Sequence, residues 1–302
     1  MKRVLVTGAA GLIGRHTIEP LRARGYEVHA TVRPGGRRPP PGSDVTLHES
    51  DLLAPHAASR LFERLRPSHL LHLAWVTEHG AYWHSAENLR WCAASLELVR
   101  TFFERGGRRA LIAGSCAEYD WAYAHRHDRV GPLRPATLYG ACKRALHLAL
   151  ERWAPDLVWV RLFHLYGPGE SPRRLFPQIA TALLRGQRAS CRAANLVRDL
   201  LHAADVGDAI AAVLDAGVRG ALDLGTGRGV ELGAFALAIA RACGRPDLLD
   251  RETVACDPSR PRVLVADTRR LREQVGWRPR FDIESGVAHA VAALSRAAGE
   301  RR

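Results

Sequence analysis

Lysine is almost missing from this 302-residue chain: only Lys2 and Lys143 occur among 44 basic residues, and all the others are arginine. Long apolar runs are missing too. No stretch approaches the roughly 18 consecutive apolar residues of a membrane-spanning helix, which excludes a span of that kind. The six cysteines (Cys92, Cys116, Cys142, Cys191, Cys243 and Cys256) contain no CxxC pair. Such scatter argues against zinc and against a disulfide framework, and it suits a reducing cytosol, so no metal is expected. Met1-Lys2-Arg3 followed by Val4-Leu5-Val6 has the outline of a secretory leader, but Gly8, Gly11 and Gly14 break the apolar stretch. A net charge of +13 invites a nucleic-acid partner. However, the arginines cluster only in pairs such as Arg37-Arg38, Arg108-Arg109 and Arg269-Arg270. No zinc-finger spacing or aromatic-studded basic strand accompanies them, so no nucleic acid is expected and the charge serves to attract small anions.

One of the two lysines is well placed. Lys143 lies four residues after Tyr139, and residues four apart share one helix face. An ammonium beside the phenol would lower its pKa from about 10 toward neutrality. Arginine, with its planar fork, is no substitute for a compact ammonium with three rotatable donors.

The composition, 47% hydrophobic and 25% charged, is that of a globular protein and excludes the disordered class. Strands are expected at 3–7, 28–32, 45–48, 70–74, 110–113 and 157–163. Helices are expected at 12–24, 55–66, 86–104 and 138–153. Strand–helix alternation with continuous apolar strands indicates a parallel sheet covered on both faces, that is, a doubly wound α/β fold of the Rossmann type. Residues 1–166 form the larger domain in this reading. Residues 167–302 form a smaller α/β substrate subdomain, with helices near 175–186, 205–215, 231–243 and 282–298 and some segments returning to the first core. The tract from Pro34 to Gly42 is too rich in glycine and proline for regular structure and is a surface loop.

Thr7-Gly8-Ala9-Ala10-Gly11-Leu12-Ile13-Gly14 follows the first strand and opens the first helix. Glycines there let the backbone approach a pyrophosphate held at the helix N-terminus. This G-x-x-G-x-x-G spacing, with Tyr139-x-x-x-Lys143, resembles the extended short-chain dehydrogenase/reductase family of nucleotide-sugar epimerases, dehydratases and reductases. The resemblance extends along almost the whole chain: Asp51-Leu52, His72-Leu73-Ala74, Asn88, Ser115, Arg161 through Gly169, Arg198-Asp199-Leu200-Leu201-His202, Asp205-Val206, Asp267-Thr268 and Val275 through Pro279 match its segments in order. It implies a catalytic set of Ser115, Tyr139 and Lys143, with Tyr139 as acid or base and Ser115 orienting the substrate oxygen. The implied cofactor contacts are Gly8, Ala10, Gly11, Leu12, Ile13, Gly14, Arg33, Asp51, Leu52, Leu73, Ala74, Asn88, Tyr139, Lys143, Phe163 and Leu165. The implied substrate contacts are Ser115, Tyr139, His164, Arg198 and Arg262, with Arg260 a further candidate for the substrate phosphates.

NAD-preferring relatives carry an acid at the end of the second strand to hold the ribose hydroxyls. Here that stretch reads Ala30-Thr31-Val32-Arg33. Arg33, backed by Arg37 or Arg38 and by Arg15, could pair with a 2′-phosphate, so NADP(H) is favoured and NAD(H) is the alternative. The expected activity is accordingly reduction of a keto nucleotide-sugar, with an NAD-dependent nucleotide-sugar epimerase as the alternative. Dehydratases of the family carry an acid one or two residues after the Ser/Thr, where Cys116 and Ala117 stand here, which argues against dehydration. Glu118 is read as a surface or salt-bridged carboxylate. His164 stands where the family has asparagine and either touches ligand or is an interior histidine. Cys116 and Cys142 are read as small buried hydrophobes. Residues 120–127 are expected to form a loop over the sugar pocket. Dimerisation through the helices at 86–104 and 138–153 follows from the resemblance, with Leu89, Trp91, Leu96, Leu146 and Leu148 as an apolar face; core packing would explain the same residues.

Overall fold

A computed structural model describes residues 2–299, apart from 77, 79, 127–130, 256, 258 and 259. The chain runs β1 (Lys2–Thr7), α1 (Gly14–Ala23), β2 (Tyr26–Val32), β3 (Thr46–Glu49), α2 (Ala57–Arg64), β4 (His69–His72), α3 (Glu87–Glu104), β5 (Arg109–Ser115), α4 (Trp121–Arg126), α5 (Leu138–Trp153), β6 (Leu157–Leu162) and β7 (His164–Tyr166). It continues as α6 (Leu175–Leu184), β8 (Ala189–Cys191), β9 (Val197–His202), α7 (Ala203–Asp215), β10 (Gly220–Leu224), β11 (Gly229–Glu231), α8 (Leu232–Ala242), β12 (Leu249–Arg251), β13 (Val263–Leu264), α9 (Arg269–Glu273) and α10 (Ile283–Gly299).

Seven strands form one parallel sheet in the order β10-β6-β5-β4-β1-β2-β3. Successive strand residues point to opposite faces, so a central strand must be apolar throughout. In β1, Val4 and Val6 pack on the α1 and α7 side, while Leu5 packs with Leu61, Phe102 and Leu146 on the other. In β6, Val158 and Val160 face the first core and Leu157 and Trp159 the second. The strand order reverses between β1 and β4, the place where an open α/β sheet leaves a crevice at the carboxyl ends of its strands.

A second unit has its own core, built from α6, α8 and α10 around Tyr166, Phe176, Ile179 and Phe235. In it β9 pairs with β7, β11 and β13. Its boundary does not follow the sequence: β10 and α7 both belong to the first sheet's layers. The Asp199 carboxylate accepts hydrogen bonds from the amides of Thr226, Gly227 and Ala266, tying β9 to the segments after β10 and β13. Trp277 donates to Asp208 at 2.8 Å and anchors the tail on α7.

Two features differ from expectation. β10 at Gly220–Leu224 was not anticipated, because Gly-Ala-Leu-Asp-Leu is short and lies among turn residues. The 120–127 segment is not a loop as described: Trp121–Arg126 is a helical turn, started by Asp120 accepting from the Tyr123 amide at 3.1 Å. His127 lies outside the described residues.

Candidate active site

Thr7 ends β1 with its hydroxyl accepting from the Leu73 and Ala74 amides, both at 3.1 Å, and paired with His72 Nδ1 at 2.7 Å. The glycine turn and the 72–75 segment are thereby held side by side. Gly8 has φ +73°, and a Cβ there would lie 2.9 Å from the Ala74 nitrogen. A Cβ on Gly14 would overlap the Gly8 carbonyl. The turn therefore tolerates no side chain at either place.

The turn opens on a cleft of about 720 Å³ lined by Gly8, Ala10, Gly11, Arg33, Leu52, Leu73 and Ala74, together with Arg37, Leu53, Trp75, Val76 and Trp91. These include seven of the expected cofactor contacts. Gly14 begins α1, Ile13 packs on the first core and Leu12 does not line the cleft. Asp51 is exposed and caps the Leu53 amide at 3.1 Å, so its own side chain shapes the wall that Leu52 and Leu53 form. No acid ends β2. Arg33 and Arg37 line the cleft, whereas Arg38 pairs with Glu49 at 3.0 Å. Arg15 lies against Gly169, its Nε buried without a hydrogen-bond partner, and burial followed by Arg37 lowers its pKa.

Behind the Trp75 wall of the cleft, Thr137 caps α5 by accepting from the Gly140 amide at 3.1 Å, which sets Tyr139 and Lys143 in the first turns. Tyr139 sits among aromatic rings: Tyr82 at 5.0 Å, Trp83 at 5.8 Å and Trp75 at 6.4 Å between centroids. Ser115, the last residue of β5, lies near enough to act on its pKa. Lys143 shares the face but does not lie beside the phenol. Its Nζ donates to the Ala113 carbonyl at 2.8 Å and rests 3.7 Å from the Trp75 ring centroid, against 6.0 Å for the Tyr139 ring. The expected lowering of the phenol's pKa is therefore reversed: burial raises it, opposed by Ser115. Burial also lowers Lys143 to about 7, with Glu118 and Cys92 pulling the other way.

Asn88 is fully buried and spends its amide on the protein. It accepts from the Trp75 indole at 2.8 Å and donates to the carbonyls of Tyr82 at 2.7 Å and Ser85 at 2.8 Å. It thus supports Trp75, which lines the cleft. The Phe163 side chain packs with Tyr119, Leu264 and Ala266 where the two units meet, and Leu165 packs on the first core. His164 is held neutral, near 3, by burial and then by Arg198 and Arg174; its Nδ1 is buried without a partner. Arg198 is buried, with Nη1 donating to the carbonyls of Val197 at 2.8 Å and Arg262 at 3.3 Å. Arg262 itself is exposed, and Arg260 faces Asp257 at 3.7 Å.

Glu118 is not a surface group. It is wholly buried and ion-paired to Arg161 at 3.1 Å. Burial raises the Cys116 thiol to about 12, and Cys142 is a buried residue whose pKa is also raised. Sequence reasoning missed Trp75, Tyr82, Trp83 and Arg174. Arg174 precedes α6, pairs with the buried Glu170 at 3.2 Å and acts electrostatically on Tyr139 and His164. The cluster of tyrosine and tryptophan at 75–83 was the available signal. Among the described residues, no three His, Cys, Asp or Glu side chains are grouped to hold a metal, and no helix is long and apolar enough to cross a membrane.

The strand order, the side-chain-free turn and the cleft at the sheet's switch point define a Rossmann-type dinucleotide-binding enzyme. A model of the NAD dependent epimerase/dehydratase family matches residues 4–225, and the chain belongs to that family. Among curated proteins it is 26% identical to the dTDP-L-rhamnose 4-epimerase of Burkholderia thailandensis, over 95% of this chain and 93% of that one. It is 25% identical to the UDP-glucose 4-epimerase of Bacillus subtilis, over 94% of each. Among solved structures, the UDP-glucose 4-epimerase of Thermus thermophilus in complex with NAD superposes with a TM-score of 0.85 at 26% identity, covering 98% of this chain and 99% of that one.

Proposed function

We propose that this protein is an epimerase of a nucleotide-sugar, inverting a ring carbinol by oxidation and re-reduction. One observation carries the reading: Tyr139 and the buried Lys143 stand against Trp75, which lines a cleft whose glycine cradle fits a dinucleotide. Curated relatives named as 4-epimerases favour inversion at the 4-position. A nicotinamide dinucleotide bound in the cleft supplies the hydride acceptor and donor. Tyr139 takes the proton from the sugar hydroxyl and returns it, and Ser115 holds the same oxygen in line. Lys143, held by the Ala113 carbonyl against Trp75 in the cleft wall, has donors left for ribose hydroxyls. The aromatic wall of Tyr82, Trp83 and Trp75 excludes water from this proton transfer. Cys116 and Ala117 supply no acid for dehydration, and Glu118 is committed to Arg161.

A second reading, net reduction of a keto sugar with NADP(H), draws on the missing acid at the end of β2 and on Arg33 and Arg37 in the cleft wall. The two separate cleanly. An epimerase releases stoichiometric NAD on denaturation and interconverts two UDP-, dTDP- or CDP-sugars, seen by NMR, without net cofactor use. An empty protein that binds NADPH more tightly than NAD and oxidises it with a keto sugar would establish the reductase instead. The exposed Leu89 and Leu148, with Trp153, suit a dimer through α3 and α5 in a cytoplasmic enzyme, whereas Leu146 is wholly core. Sedimentation would measure the mass.

A further inference from the structure

Glu118 lies one residue too far from Ser115 to serve as the family's acid, yet it is fully buried, and a buried carboxylate requires partners. It has three. Oε1 accepts from the Ser115 amide at 2.8 Å and from the Trp159 indole at 2.9 Å, and Oε2 accepts from Arg161 Nε at 3.1 Å. Ser115 in turn accepts through its hydroxyl from the Ala117 amide at 3.1 Å, closing a capping box around the short turn Cys116–Glu118. The next residue, Tyr119, donates to Asp223 on β10 at 2.9 Å, and Asp223 lies 3.9 Å from Arg161. Three neighbouring strands, β5, β6 and β10, thus grip one turn. The helix bearing Tyr139 closes on the same turn, since a Cβ on Gly140 would overlap the Ala117 carbonyl oxygen.

The geometry points to Glu118 as a positioning residue that, clamped by Arg161 and Trp159, fixes the Ser115 hydroxyl against the Tyr139 phenol. The idea rests on the proposed roles of Ser115 and Tyr139. With one of its lone pairs committed to the Ala117 amide, the Ser115 hydroxyl has a restricted set of directions for its proton. With its own amide pinned by Glu118, the Ser115 backbone is held in place where the strand ends. The clamp also carries charge into the site. The groups acting on Tyr139 are Ser115, Cys116 and Glu118 from the turn and Arg174 from the start of α6; Tyr82, from the segment before α3, also couples to it, and Lys143 shares its helix. Of these, Glu118 and Cys116 oppose ionisation of the phenol.

The test is Glu118→Gln, which keeps the volume and one acceptor but loses the charge and sets an amide N–H against Arg161. The expected result is a fall in kcat of about 10- to 100-fold with KM little changed, since a small misplacement of a reacting group costs rate more than binding. In a Ser115→Ala background the same substitution should add nothing, because two residues acting as a unit are not additive. Independently of any substrate, the phenolate absorbance assigned to Tyr139 by comparison with Tyr139→Phe should titrate at lower pH in Glu118→Gln. A folded variant with wild-type kcat and an unmoved titration, or one whose loss adds in full to that of Ser115→Ala, would overturn the proposal. If no nucleotide-sugar is turned over by the wild type, the functional reading fails while the phenol titration still decides the role of Glu118. Should Glu118→Gln not fold, Trp159→Phe, which removes one donor from the same carboxylate, decides by its loss of kcat and the disappearance of that loss in the Ser115→Ala background.

Discussion

The cleft and the Tyr139 pocket behind it are made of different material. At the dinucleotide end the surface is largely main chain: Gly8, Ala10 and Gly11 on one side, Leu73 and Ala74 on the other, joined by the Thr7 hydroxyl. Behind the cleft's Trp75 wall the surroundings of Tyr139 are side chain, drawn from separate segments: Tyr82 and Trp83 before α3, Ser115 ending β5 and Arg174 before α6, with His164 on β7 and Arg198 on β9 linked through Arg174. A main-chain surface depends on the absence of side chains, so it can bind the same cofactor across a family. A side-chain surface can be rewritten one residue at a time, which is where differences in substrate arise.

Substitutions should separate the two. Tyr139→Phe removes the proposed acid/base group but no wall of the cradle. Turnover should fall roughly a thousand-fold while dinucleotide affinity, measured by calorimetry, stays within about twofold. Equal loss of both would erase the distinction. Gly8→Ala places a methyl 2.9 Å from the Ala74 nitrogen at φ +73°. It should weaken dinucleotide binding by about 10-fold or more and cost about 1–3 kcal/mol of stability in denaturant titration. His164→Ala removes a neutral ring with an unpartnered Nδ1. KM for the nucleotide-sugar should rise by roughly 3- to 10-fold with dinucleotide affinity unchanged.

The last effect concerns pH. Lys143 has a folded pKa of about 7 against 10.5 when free. Between those values the unfolded chain holds the extra proton, so stability attributable to this group is full above about 10.5, declines as pH falls, and is gone below about 7. Lys143→Met should flatten the rise in stability between pH 7 and 10, as read by urea titration at several pH values. An unchanged slope would mean that the ammonium is not desolvated.

Much of this could be read from the chain because it is local. Gly8, Gly11 and Gly14 form one turn, and the apolar strands at 3–7, 110–113 and 157–163 are continuous because both faces of the sheet are covered. The Tyr139–Lys143 spacing correctly put two residues on one helix face. It did not determine where the ammonium would go, because the Ala113 carbonyl and the Trp75 ring that hold it come from two other strands' ends. For Glu118 the salt-bridged alternative holds, but its partners could not be named from the chain because Trp159 and Arg161 lie 41 and 43 residues away.

The amino-acid order alone therefore carried six strands of the main sheet and the glycine cradle, since periodicity and turn chemistry act within a few residues. The tertiary structure alone decided the charge states and the neighbours: Lys143 brought near neutrality, Tyr139 walled by aromatic rings, Glu118 buried in a clamp, and Arg174 brought to the site from before α6. Burial and Coulomb interaction depend on distance in space, and distance in space is set only when the strands assemble.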